Sequence, residues 1–282
     1  MRHLVAVLAS VLVLSLPATP ASATPVSAAL APAPTRVDVD FTGIVSLNGC
    51  SGSVVRPPEH SPSDPALVMT NGHCVRFMGA DEVAVDEPVD RQFTLLDKDG
   101  DGSLGTLRAS RLAYATMSGT DVALYRLTST YAQVEAMGTR VLELSPEHPK
   151  AGIEIRVVSG YWRRIYSCRV HGFVHELRED RWTWHDSVRY TRPCDSRGGS
   201  SGSPVLDVDT GKVVAVNNTG NENGERCTHN NPCEVDANGE VTVREGIRYG
   251  QQTHQIVPCL TGGGRVDLTA SGCGLPRPQD NH

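Results

Sequence analysis

Three short segments of this 282-residue chain carry side chains that could act together in acyl transfer. A serine hydroxyl is a weak nucleophile at neutral pH and needs a base within hydrogen-bond reach, usually a histidine. A buried carboxylate can then hold that histidine in the required tautomer. The sequence predicts these roles for Ser201 in 198–204 (GGSSGSP), His73 in 70–74 (TNGHC) and Asp121 in 119–124 (GTDVAL).

Each of the three residues also has an ordinary interpretation. His73 could be a loop histidine, Asp121 could be a turn residue at the start of a strand, and 198–204 could be a flexible Gly/Ser loop. The residues lie far apart in the sequence, so only the fold could bring them together. Their order, His then Asp then Ser, resembles that of the trypsin/chymotrypsin-like serine proteases and favours the catalytic interpretation.

The elements that would position these residues are predicted to be β-strands. Aromatic residues make up only 5% of the chain, while 27 glycines and 18 prolines suit short strands joined by turns. No long helical periodicity is present. Strand candidates are 43–47, 53–55, 66–70, 121–127, 152–158, 182–184, 204–206, 212–216 and 240–243.

The three segments resemble those of the trypsin/chymotrypsin-like serine proteases, and they are most similar to secreted bacterial trypsin-like and glutamyl-endopeptidase-like members. The resemblance extends from about Phe41 to Leu260. It implies an all-β fold of two six-stranded antiparallel β-barrels with the active site in the cleft between them. It also implies an oxyanion hole made by the N–H groups of Gly199 and Ser201. The implied substrate is a polypeptide, and no cofactor or metal is required.

The chain departs from the family pattern around the nucleophile. Ser200 replaces an aspartate that pairs with a new N-terminal amine in animal members, and no Ile-Val-Gly-Gly-like start is present. We therefore expect the usual zymogen switch to be absent. Asp195 lies where trypsin has the acid that selects Lys or Arg, although a surface or turn aspartate is an equal alternative. Asn217 lies where glutamyl endopeptidases have a histidine, which argues against simple Glu specificity.

The N-terminal segment predicts export. Residues 1–23 have the features of a signal peptide, with an apolar run at 4–16 followed by Ala21-Ser22-Ala23. Residues 24–40 are predicted as an Ala/Pro-rich tail or short pro-segment, 41–147 as the first barrel, 148–262 as the second barrel, and 263–282 as a C-terminal tail.

We expect a secreted monomer with no membrane contact after cleavage of the signal peptide. The net charge of −6 and the lack of a basic block disfavour nucleic acid as a partner.

The eight cysteines predict disulfides in an exported protein. The family resemblance pairs Cys50 with Cys74. Closeness in sequence and the loop layout favour Cys168–Cys194, Cys227–Cys233 and Cys259–Cys273.

Two segments could instead hold metal ions. Residues 227–233 (CTHNNPC) offer three ligands, but a disulfide-closed turn is the favoured interpretation. Residues 97–102 (DKDGDG) resemble the start of an EF-hand loop. The twelfth position of that loop is Arg108, where a bidentate glutamate is needed, so a polar hairpin tip is favoured.

The sequence therefore predicts a secreted serine endopeptidase. Two alternatives remain open. One is a catalytically silent extracellular binding protein on the same fold, and the other is an ester hydrolase that uses the same triad.

Overall fold

The first sheet of the structure closes into a six-stranded ring. The structure is a computed structural model that describes residues 36–279, so the predicted signal peptide at 1–23 lies outside the described residues. The strands pair in the order β1-β4-β5-β6-β3-β2, and β2 pairs back with β1; all of these pairs are antiparallel. A short seventh strand joins β2 in parallel. The bounds are β1 (Ile44–Leu47), β2 (Cys50–Arg56), β3 (Pro65–Thr70), β4 (Val83–Leu96), β5 (Ser103–Thr116), β6 (Val122–Thr130) and β7 (Leu142–Glu143).

The second sheet closes in the same way. Its antiparallel ring runs β8-β9-β10-β15-β12-β11 and returns to β8, while β13 and β14 extend from β9. The bounds are β8 (Glu154–Ser159), β9 (Arg164–Glu179), β10 (Trp182–Tyr190), β11 (Pro204–Asp207), β12 (Val213–Gly220), β13 (Cys233–Val235), β14 (Val241–Val243) and β15 (Arg248–Gln252). Two closed six-stranded antiparallel rings confirm the predicted fold class.

The remaining elements are short. Helix α1 (Tyr131–Glu135) begins at a capping box, in which the Thr130 hydroxyl accepts from the Gln133 N–H and the Gln133 side chain accepts from the Thr130 N–H. Strands β16 (Leu260–Thr261) and β17 (Arg265–Val266) form a two-stranded ribbon. Two 3₁₀ turns cover Gly72–Cys74 and Val257–Cys259. Within residues 36–279, no helix is long and apolar enough to cross a bilayer.

The segments beyond the rings pack onto them. Val37 N–H donates to the Val208 carbonyl, so the described end of the predicted 24–40 tail lies on the second ring. At the other terminus, part of the predicted 263–282 tail is held down on the first ring. Leu275 is buried there, and the Tyr114 hydroxyl donates to the Pro276 carbonyl.

The structure contains four disulfides, and their pairing agrees with the prediction. The bonds are Cys50–Cys74, Cys168–Cys194, Cys227–Cys233 and Cys259–Cys273. Residues 227–233 therefore form the disulfide-closed turn rather than a metal site. Residues 97–102 form the turn between β4 and β5, where Gly100 N–H donates to the Asp97 carbonyl.

The long hairpin β9–β10 is the element that the sequence pattern underestimated. The sequence predicts a strand only at 182–184, whereas β9 and β10 span 164–190 with a tight turn between them. Its tip reaches the first ring, where the indole N–H groups of Trp182 and Trp184 donate to the carbonyls of Met78 and Met117. The hairpin therefore fastens the two rings together beside the predicted active site.

Candidate active site

His73 is held at the end of β3 by a tight turn. The 3₁₀ turn Gly72–Cys74 follows the strand, and a Cβ at Gly72 would lie 2.1 Å from the Thr116 carbonyl oxygen. Only glycine can therefore pass this close to β5. The adjacent Cys74 is tied to Cys50 on β2. The backbone around His73 is thus fixed from both sides.

Asp121 lies directly before β6 and faces His73. Its Oδ2 accepts from His73 Nδ1 at 2.7 Å, and its Oδ1 accepts from the His73 backbone N–H at 3.2 Å. Asp121 is fully buried. A carboxylate can only accept, so Nδ1 carries the proton and the lone pair of neutral His73 lies on Nε2.

The surroundings of His73 favour its charged form. Burial lowers the pKa of His73, but the negative charge of Asp121 and its hydrogen bond raise it, as does the charge of Glu179. The net effect is a pKa above the usual histidine value. A histidine of raised pKa is a stronger base. It is in the neutral form, which can accept a proton, at pH values above that pKa.

Ser201 is positioned by a close approach between the two rings. Gly202 has φ +80°, and a Cβ there would lie 2.1 Å from the Ser51 carbonyl oxygen and from Thr70 Oγ1. The Ser201 carbonyl accepts from Ser51 N–H at 2.8 Å. The Ser201 hydroxyl donates to the Asn218 carbonyl at 3.1 Å. The hydroxyl would have to turn from this carbonyl to transfer its proton to His73.

The two predicted oxyanion-hole donors are free. Within the described part of the chain, neither Gly199 N–H nor Ser201 N–H has a hydrogen-bond acceptor. The Trp162 indole N–H donates to the Gly198 carbonyl at 2.7 Å, and the Arg197 guanidinium lies 3.9 Å from the centre of the Trp162 ring. Because C=O and N–H point in opposite directions across a trans peptide, this bond turns Gly199 N–H away from Trp162.

The cleft of about 230 Å³ brings the three predicted catalytic residues together. His73, Asp121 and Ser201 all line it, and so does Gly199. Asn217 also lines it, with its side-chain amide donating to the Ser200 carbonyl.

Asp195, by contrast, is exposed and does not line the cleft. Its neighbours Cys194 and Ser196 are buried, the first in the disulfide to Cys168 and the second against Asn217. Asp195 points outward between them. The structure therefore does not bring it to the position suggested by the resemblance to trypsin.

Glu179 is a cleft residue that the sequence did not single out. It lies at the end of β9 and is only 5% exposed. Its carboxylate accepts from the Thr219 hydroxyl at 2.5 Å and from Asn230 N–H at 2.9 Å. Burial raises its pKa, although both hydrogen bonds and the nearby His73 lower it. A glutamate beside a hairpin turn carries no motif that would mark it as a cleft residue.

Arg248 on β15 also lines the cleft, as does the half-exposed Glu222. Neither residue belongs to a recognisable motif. Arg248 reaches the cleft because β15 pairs with β12, and the sequence does not specify this pairing.

Comparison with known proteins identifies the family of this chain. The family model described as a trypsin-like peptidase domain matches residues 50–216. The chain therefore belongs to the trypsin-like peptidase family. Its enzyme class is that of the serine-type endopeptidases, which are hydrolases. A search of the curated proteins finds no match.

Solved structures similar to this chain have low sequence identity to it. The protease domain of MamO from Magnetospirillum magneticum is 14% identical, with a TM-score of 0.50, and the match covers 79% of this chain and 98% of that chain. The active form of the Rv3671c protease from M. tuberculosis is 16% identical, with a TM-score of 0.45 and coverage of 83% and 81%. A Glu endopeptidase is 18% identical, with a TM-score of 0.45 and coverage of 75% and 85%.

Proposed function

We propose that this chain is a secreted serine endopeptidase in which Ser201 is the nucleophile, His73 the general base and Asp121 the group that orients His73. The observation that carries the proposal is the 2.7 Å bond between His73 Nδ1 and Asp121 in the cleft that Ser201 also lines. Secretion is supported by the four disulfides, which form and persist in oxidising compartments.

The reaction follows from the positions of the protons. Ser201 Oγ attacks the peptide carbonyl while its proton passes to His73 Nε2. The N–H groups of Gly199 and Ser201 donate to the negative oxygen that develops. His73 then gives the proton to the leaving amine, and the acyl group remains on Ser201. Water, deprotonated by His73, releases the acyl group and restores the hydroxyl. Asp121 stays ionised and stabilises the imidazolium.

The test is cleavage of a complex peptide library by the purified protein and by its Ser201→Ala variant. Cuts made by the wild type should vanish in the variant, and an active-serine phosphonate should label only the wild type. Ser203→Ala is the matched control, because its hydroxyl is buried without a hydrogen-bond partner among the described residues. Peptide cleavage retained in a folded Ser201→Ala protein would overturn the proposal.

The same experiment separates the two alternatives. Phosphonate labelling together with turnover of esters but not peptides would identify an ester hydrolase. A folded protein that neither reacts with the phosphonate nor cleaves either substrate would be the silent binding protein.

A further inference from the structure

Arg248 occupies the part of the cleft that faces Gly220. The two residues are directly opposed on the antiparallel pair β15 and β12, so their side-chain positions share one face of the sheet. A Cβ at Gly220 would lie 2.3 Å from Arg248 Cδ and 2.5 Å from its Nη1. The Arg248 side chain therefore occupies the space that a side chain at position 220 would fill, so this position needs glycine.

The Arg248 guanidinium lacks the partners expected for a charge in this position. Its side chain is 19% exposed, and within residues 36–279 it makes no hydrogen bond. The closest carboxylate is that of Glu222, whose Oε1 lies 3.7 Å from Nη1, beyond hydrogen-bond distance. Glu222 is itself half exposed, so its pairing with Arg248 is weakened by solvent.

Other arginines of the second half of the chain have carboxylate partners. The guanidinium groups of Arg189 and Arg244 both contact the Glu234 carboxylate, at 2.5 and 3.1 Å. Glu179, the other glutamate that lines the cleft, already accepts hydrogen bonds from Thr219 and Asn230. Arg248 is thus a cleft cation whose donors are unused, and a guanidinium binds a carboxylate best through two parallel bonds.

We propose that Arg248 binds the carboxylate side chain of the substrate residue on the N-terminal side of the scissile bond, so that the enzyme cleaves after Asp or Glu. The inference rests on the proposed function, since it places the acyl group of that residue on Ser201. Arg248 and Gly220 line the same cleft as Ser201. Gly220 lies two residues after Asn218 on β12, and the Asn218 carbonyl accepts from the Ser201 hydroxyl, so Arg248 lies on the strand pair beside the nucleophile.

This inference revises the sequence-based expectation at Asn217. Asparagine in place of histidine at this position argued against simple Glu specificity. In the structure the Asn217 side-chain amide donates to the Ser200 carbonyl. Arg248 supplies a cation from a different strand. Asp195, the other residue suggested for specificity, takes no part, because it points out of the cleft.

The test compares two matched peptides that differ only in Glu or Gln before the cleaved bond. The wild type should prefer Glu by about 10- to 100-fold in kcat/KM, the range for hydrogen bonds to a charged group. Arg248→Gln should lose this preference, and Arg248→Lys should retain part of it. Glu222→Gln should increase it, because the competing carboxylate is gone. The control is Arg226→Gln, an exposed arginine that does not line the cleft.

A second measurement separates this inference from the proposed function. Binding of the Glu and Gln peptides to the Ser201→Ala protein, with and without Arg248→Gln, reads the site without catalysis. Equal binding of both peptides, or a Glu preference that survives in a folded Arg248→Gln protein, would overturn the role of Arg248. Phosphonate labelling of the wild type would still report on Ser201. An arginine-dependent Glu preference in a protein that is not labelled would support the site and reject the catalytic assignment.

Discussion

Replacing Asp121 by asparagine should remove most activity while leaving the fold intact. The carboxylate accepts two bonds from His73, one from the backbone N–H at 3.2 Å and one from ring Nδ1 at 2.7 Å. Asparagine has only one acceptor oxygen beside an NH2 group. If the oxygen stays on the backbone N–H, the NH2 group faces Nδ1 and forces it to accept. The ring proton then lies on Nε2, the atom that must take the proton from Ser201.

The alternative orientation of the asparagine does not rescue the enzyme. It would point the NH2 group at the His73 backbone N–H in a fully buried position, and an unsatisfied buried donor costs about 1–3 kcal/mol. The first orientation is therefore favoured. In a comparable triad the wrong tautomer lowers kcat by about 10⁴. This factor corresponds to about 5.5 kcal/mol of transition-state stabilisation.

The assay is kcat/KM on a peptide substrate for Asp121→Asn and for the wild type, with circular dichroism and thermal unfolding to check the fold. Asp195→Asn is the matched control, since the same change at an exposed residue outside the cleft should leave kcat/KM unaltered. A folded Asp121→Asn protein with activity within about tenfold of the wild type would refute the reasoning.

Three further changes test the surroundings of the site. Glu179→Gln removes a negative charge that raises the pKa of His73, so the acid limb of the kcat/KM–pH profile should move to lower pH; an unmoved limb would contradict this. Trp162→Phe removes the bond to the Gly198 carbonyl and should lower kcat about 5- to 10-fold with KM little changed. Gly202→Ala should lower the melting temperature and activity together, because its φ of +80° alone costs about 1–2 kcal/mol and the added Cβ overlaps two oxygens; wild-type stability would contradict this.

The fold class could be predicted because its signals are local. Apolar residues alternate with polar ones along strands such as β8, where Ile155 and Val157 are buried and Arg156 between them is partly exposed. This period of two, repeated between turn residues, specifies strands whatever their partners. The same alternation is present in β9, where Tyr166, Cys168 and Val170 are buried and Ser167 and Arg169 are exposed, so the hairpin β9–β10 was underestimated although its pattern is local.

The candidate site residues could be predicted because their chemistry narrows the choice of partner. A serine between glycines, a histidine beside a cysteine and an aspartate before an apolar strand each have few functional roles, and together they imply one kind of reaction. Asp195 shows the limit of this reasoning. The type of residue suggested a specificity role, but the face on which it lies depends on the disulfide and the packing of its two neighbours.

The sequence by itself determined the strand-rich fold, the cysteine pairs close in sequence and the three residue types of the predicted triad. Only the tertiary structure decided that Arg248 faces Gly220, that Glu179 lies close enough to influence His73, and that Trp162 holds the Gly198 peptide. The physical reason is that alternation and turn chemistry act between neighbours in the chain. A contact across strands depends on which residues are opposed, and a shift of one position would turn each side chain to the other face of the sheet.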